Sequence, residues 1–191
     1  MSPRGAPGHG ATRRSFMPSS IPCRHNGAMS HRTLIVMRHG KSDWSVPVDD
    51  RHRPLKKRGR RQAAEAGRWL AANTPTIDLA VVSPAVRAAD AWRLAAAELP
   101  DAVPERVEER AYTFDGADLL EIVRGLASAP EARDANTVVL VGHSPACDEL
   151  VAHLTGEPVT MKTSGLAVVV MQQWGGPAEL TAHGRPPGSE D

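Results

Sequence analysis

Three short segments carry the residues best suited to chemistry: Arg38-His39-Gly40, Ser83-Pro84-Ala85-Val86-Arg87 and Gly142-His143-Ser144-Pro145. Together they hold two guanidinium groups and two imidazoles, with no evident acid beside them. Such a set would repel itself in an empty buried site. A phosphoryl group answers that charge, because arginine forks bind its oxygens in pairs. A histidine can attack phosphorus and become a phosphohistidine. The second histidine and the two arginines can then stabilise the charge on the equatorial oxygens. Gly40 would permit a close backbone approach or a turn with positive φ. Any one of these segments alone would be ordinary; three at three strand ends point to a site.

To meet, the three segments must sit at the same edge of one sheet. Each follows a run rich in Val, Ile and Leu, at residues 33–37, 79–82 and 137–141, and a fourth run spans 166–171. The runs are nearly continuous rather than alternating, as expected of strands covered on both faces of a parallel sheet. Helical stretches lie between them, at about 59–72, 84–98, 118–128 and 145–154. The alternation predicts an α/β fold: a three-layer α/β/α sandwich with a mostly parallel central sheet. In such sheets ligands bind beyond the carboxyl ends of the strands, where all three segments would converge. Ser83 and Ser144 are expected as helix N-caps, with Pro84 and Pro145 at the first helical position, so that two helix N-termini offer N–H groups to an anion.

Composition sets limits. The 191 residues hold 23 Lys and Arg against 22 Asp and Glu, and residues 1–32 carry five Arg and no acid. The remainder is therefore mildly acidic, which argues against a general polyanion binder. Seven aromatic residues supply little for base stacking, so no nucleic-acid partner is expected. No run of 18 apolar residues occurs, so neither a spanning helix nor a membrane partner is expected. Two cysteines, Cys23 and Cys147, make no disulfide framework and point to a reducing, cytoplasmic setting. Residues 1–31 read as a disordered basic tail or upstream extension, 32–182 as the folded domain and 183–191 as a disordered C-terminal tail.

As an ordered set, Arg38-His39-Gly40, the Ser-Pro-x-x-Arg segment ending at Arg87, and Gly142-His143 resemble the histidine phosphatase superfamily, whose fold is phosphoglycerate mutase-like. The resemblance covers about residues 32–174. It implies that His39 is the nucleophile, that Arg38, Arg87 and His143 form the phosphate pocket, and that no metal or other cofactor is needed. With 44 positions from His39 to Ser83 and 56 from Arg87 to His143, little chain remains for a large lid. The stretch from Arg38 to Trp44, then Asp50, Arg53-Pro54-Leu55 and Gly59, with Met161 to Gly165, resembles the small lid-less phosphohistidine phosphatases of bacteria. Ser42 is a candidate substrate contact within it.

That resemblance implies a phosphatase in signalling, acting on phosphohistidine in a phosphorylated protein. Hydrolysis of small phosphomonoesters and a non-catalytic phosphate-binding docking module stand as alternatives. Glu109 is the candidate general acid, although Arg110 intervenes before Tyr112 and the donor pattern is imperfect. The asparagine expected of a mutase after Trp44 is replaced by Ser45, which speaks against mutase activity. Asp50 is read as a tether for Arg53 or an organiser of its loop, outside the catalytic set. The basic run 51–61 reads as a solvated rim, and Cys147 as a small core residue.

Overall fold

The computed structural model describes residues 31–187 except Pro75. The expectations for residues 1–30, Cys23 among them, and for 188–191 lie outside the described residues. Six strands form one sheet: β1 Arg32–Arg38, β2 Leu79–Val82, β3 Glu105–Val107, β4 Thr137–Gly142, β5 Leu166–Met171 and β6 Ala178–Gly184. The order across the sheet is β3-β2-β4-β1-β5-β6. Four helices, α1 Lys57–Asn73, α2 Val86–Ala96, α3 Gly116–Gly125 and α4 Ala146–Thr155, complete the sandwich.

Alternation along the central strands builds two cores. Leu34 and Val36 of β1 pack with Leu119 and Ile122 of α3 and Leu150 and Val151 of α4. Ile35 and Met37 face the other way, toward Ala63, Ala66 and Leu70 of α1 and Trp92 of α2. Residues 34–37 are fully buried on both faces, which is why the run is continuously apolar. Each such side chain contributes about 1.5–3 kcal/mol on burial. Strand β1 lies between β4, parallel, and β5, antiparallel, with Arg38 in register with Gly142. That register sets the residues following β1 beside those following β4.

The sheet is mixed: β3, β2, β4 and β1 are parallel, while β5 and β6 are antiparallel to their neighbours. After α4 descends, residues 156–165 carry the chain back to the carboxyl edge of β1 before β5 begins. A strand buried on both faces has the same apolar pattern in either direction, so the sequence did not reveal this turn. Strands β3 and β6 escaped notice because their residues are largely half-exposed or exposed and polar. Strand β6 also extends the domain through Gly184, two residues beyond the expected limit of 182, and Arg185 Nε donates to Thr163 O at 3.2 Å.

The helix starts differ too. Helix α2 begins at Val86 behind Ala85, and α4 at Ala146 behind Pro145, so neither Ser83 nor Ser144 is the N-cap. Ser83 Oγ lies 2.8 Å from His143 Nε2 and accepts from Ala85 N at 3.4 Å, and Ser144 Oγ donates to Asp148.

The link from β1 to α1 folds back on itself. Ser42 bridges Leu55, Asp43 N donates to Pro54 O, and Lys56 N donates to Lys41 O. Gly40 and Gly59 make this closure possible: a Cβ on Gly40 would lie 2.5 Å from Gly59 O, and one on Gly59 would lie 2.2 Å from Lys41 O. Of the two uses foreseen for Gly40, close approach is the one realised; its φ is not positive. The loop so pinned carries a 3₁₀ turn, Asp50–His52, toward the strand ends.

Candidate active site

His39 follows β1 and His143 follows β4, and the parallel register brings their ring centroids to 5.1 Å. His39 N donates to Gly142 O, tying the two strand ends together. The His39 ring Nδ1 lies 2.7 Å from Gly40 O. A carbonyl can only accept, so Nδ1 carries the proton and Nε2 keeps a lone pair. Arg87 Nε donates to that nitrogen at 3.3 Å. His39 is 8% exposed. Burial first, then the neighbouring His143, push its pKa down to about 3; the hydrogen bond to Gly40 O opposes them, and Arg87 and Arg38 add to the lowering. At neutral pH it is an uncharged base.

His143 is buried, with Nε2 2.8 Å from Ser83 Oγ. Burial and the arginines, Arg87 first, lower its pKa to about 4, while Asp50 pulls the other way. Its Nδ1 is buried without a partner, as is Nε of Arg38. Arg38 is otherwise anchored by donating from Nη1 to Met161 O at 2.6 Å. The segment before β5 is held at this edge by Ser164 N donating to His39 O, with Ser164 itself at φ 55°. All four residues expected in the pocket, Arg38, His39, Arg87 and His143, therefore converge.

The pocket also contains an acid, contrary to expectation. Asp50 accepts from Arg87 Nη2 through Oδ2 at 2.8 Å and from Arg87 Nη1 through its backbone oxygen at 2.5 Å. Its other oxygen accepts from Arg53 Nη2 at 2.6 Å, and Tyr112 OH donates to Oδ2 at 2.8 Å. Burial opposes ionisation, yet the hydrogen bonds from Arg53, Tyr112 and Arg87 hold this carboxyl well below the usual range. Asp50 reaches its partners because of the loop closure; its place just ahead of a basic run gave no sign of Arg87, 37 positions away.

Glu109 is not brought into this set. Its side chain is 67% exposed and both carboxylate oxygens accept from Arg51 Nη2 at 2.8 Å. Ser42 is buried, but its hydroxyl accepts from Arg53, which makes it part of the loop base. Arg53 also stacks on the exposed ring of Trp44, 3.6 Å from its centroid. Tyr112 and Phe114 lie against His143, at centroid distances of 5.5 and 5.8 Å. Neither aromatic was singled out from the sequence, where no local pattern marks them. Cys147 is buried and free, and burial followed by Asp148 raises its thiol to about 12, so it is inert core.

A neutral histidine with its lone pair on Nε2, two arginines and two buried nitrogens without partners is a set that can bind and attack a tetrahedral oxyanion. The sequence profile of the histidine phosphatase superfamily (branch 1) matches residues 34–134, just over half of the chain. This chain belongs to the histidine phosphatase superfamily. The uncharacterized protein Rv1276c of Mycobacterium tuberculosis is 33% identical over 144 residues, covering 70% of this chain and 85% of that one. Among solved superfamily structures, a Nakamurella multipartitia protein named as phosphohistidine phosphatase SixA is similar, with 26% identity, a TM-score of 0.69 and coverage of 82% and 97%. The protein histidine phosphatase SixA solved with tungstate shares the fold, with a TM-score of 0.71, 24% identity and coverage of 81% and 97%. As a superfamily phosphatase, the protein acts on phosphorylated substrates. No helix among the described residues is long and apolar enough to cross a membrane.

Proposed function

We propose that the protein is a metal-independent phosphohistidine phosphatase, with His39 as nucleophile and a covalent phosphohistidine intermediate. The observation that carries the chemistry is the His39 ring itself: Nδ1–H is committed to Gly40 O, so the lone pair lies on Nε2, where it accepts from Arg87 Nε until a phosphoryl oxygen takes that donor. In that step Nε2 forms a bond to phosphorus as the bond to the leaving group breaks. The three anionic oxygens are met by Arg87, Arg38 and His143. Water then attacks the phosphohistidine and releases phosphate.

The nature of the acid supports the substrate class. Among the described residues the carboxylate hydrogen-bonded within this set is Asp50, and it is held ionised. It is therefore a poor proton donor. Glu109 would have to leave Arg51 to serve. An alkoxide leaving group depends on such a donor, typically by about 10²–10⁴-fold. The imidazole of phosphohistidine is readily protonated and depends on it far less. The exposed rings of Trp44, stacked on Arg53, and Phe114, beside His143, suit a phosphoryl group presented on a protein surface. The free Cys147 suits a cytoplasmic reaction.

The test is phosphate release from a phosphohistidine-bearing protein, from p-nitrophenyl phosphate and from an alkyl phosphate, with and without EDTA. Wild type should release phosphate from the first two in the presence of EDTA, with the alkyl ester slower by about 100-fold or more. His39→Ala should abolish release. Equal rates on the alkyl ester would favour small phosphomonoesters, and a mutant as active as wild type would remove His39 as nucleophile.

A further inference from the structure

We propose that Asp50 is the positioning residue of the phosphate pocket: it fixes the Arg87 guanidinium so that its remaining donors face the phosphoryl oxygens. The proposal rests on the phosphate-binding role given above to Arg87, and not on the identity of the leaving group. Arg87 is 1% exposed, so its donors must find their partners inside the pocket, and those partners decide which way the fork faces. Of its five N–H donors, Asp50 engages one on each terminal nitrogen, through Oδ2 and the backbone oxygen. Three donors are left. One of them, Nε–H, rests on His39 Nε2. When an oxyanion arrives, that donor can transfer to a phosphoryl oxygen with little movement, which uncovers the attacking lone pair while Asp50 keeps the plane of the fork unchanged.

Asp50 is itself held from the opposite side. Arg53, buried, donates to Oδ1 and to Ser42, and stacks on Trp44; Tyr112 donates to Oδ2. The carboxylate thus has a fixed position between two arginines, supplied by the loop that Gly40 and Gly59 allow to close. It is also the negative charge that lets Arg38, Arg53 and Arg87 coexist beside two histidines before substrate binds. Neutralising it would loosen the fork and so weaken oxyanion binding, whereas the nucleophile would remain in place.

A double-mutant cycle read by tungstate affinity tests this independently of turnover. Calorimetric titration compares wild type, Asp50→Asn, Arg87→Ala and the double variant, with circular dichroism to confirm folding. Asp50→Asn should weaken tungstate binding by about 10- to 100-fold, the range for a hydrogen bond to a charged group. In the Arg87→Ala background the same change should cost less than about threefold, because the group it positions is gone. An equal loss in both backgrounds would overturn the proposal, since a merely structural role acts with or without Arg87. Unchanged affinity in Asp50→Asn would overturn it as well. Should Asp50→Asn fail to fold, Asp50→Glu, which keeps the charge but displaces it by one methylene, is measured in the same cycle, with the same suppression by Arg87→Ala required. His39→Ala should still bind tungstate; if it does while turnover survives, the nucleophile assignment falls and the role of Asp50 stands.

Discussion

At His39 a backbone carbonyl sorts the proton from the lone pair, because Gly40 O can only accept the Nδ1 hydrogen at 2.7 Å. Burial and the neighbouring cations keep the ring neutral by lowering its pKa to about 3, so no proton has to be removed before attack at neutral pH. The phosphoenzyme trapped by rapid acid-free quenching should therefore carry phosphorus on Nε2. Nitrogen–phosphorus coupling in ¹⁵N-labelled protein reads this directly, and coupling to Nδ1 would contradict the tautomer. The convergence of His39, Arg38, Arg87 and His143 was legible in the sequence because each lies at the end of a strand rich in Val, Ile and Leu or within a few residues beyond it. Tyr112 was not, and Asp50 was legible only as the tether of Arg53, not as a partner of Arg87. Their value lies in contacts with Arg87 and His143, elements away, and the acids Asp49 and Asp50 ahead of a run of seven basic residues look like part of a solvated loop. Glu109 is the converse case: its residue type suits an acid, but Arg51 holds it outside the cluster.

Among the elements, the β1–α1 loop matters most, and its closure depends on contact between two backbones. Gly59 lies in the first turn of α1, where helix propensity favours Ala over Gly by about 1 kcal/mol. Here the added Cβ would meet Lys41 O at 2.2 Å and Lys41 N at 2.7 Å, both backbone atoms that cannot rotate away. Overpacking of this kind costs about 1–3 kcal/mol, so the steric term should win. Gly59→Ala should lower the urea midpoint without changing the slope of unfolding, and should weaken tungstate binding because the loop holds Asp50. A midpoint equal to or above wild type would show that the loop yields easily. The sequence contained this glycine and the Arg53-Pro54-Leu55 segment, but not the fact that they close one loop. For the same reason it hid the direction of β5: pattern reports which faces are covered, whereas direction depends on where residues 156–165 carry the chain.

For the molecule as a whole, the buried histidines of the pocket make stability depend on pH. The two histidines are buried at the junction of β1 and β4, and folding lowers their pKa values to about 3 and about 4, from 6.5. The unfolded chain therefore binds protons at these positions below pH 6.5 while the folded protein does not. Stability must rise with pH in that interval, so it is fully present above pH 6.5 and is lost progressively toward pH 4. Each histidine can contribute up to about 1.4 kcal/mol per pH unit once its unfolded form is protonated. Asp50 acts in the same direction, but only as pH falls below the ordinary carboxylate range, since its folded pKa is also lowered. Above pH 5 the two effects separate. Urea unfolding between pH 5 and 6.5 should thus show stability declining with acid in wild type, with the slope reduced by about half in His39→Asn and mostly removed when His143→Asn is added. A double variant that kept the wild-type slope would mean that the acid sensitivity arises elsewhere, and that the pocket's histidines are not held uncharged by the fold.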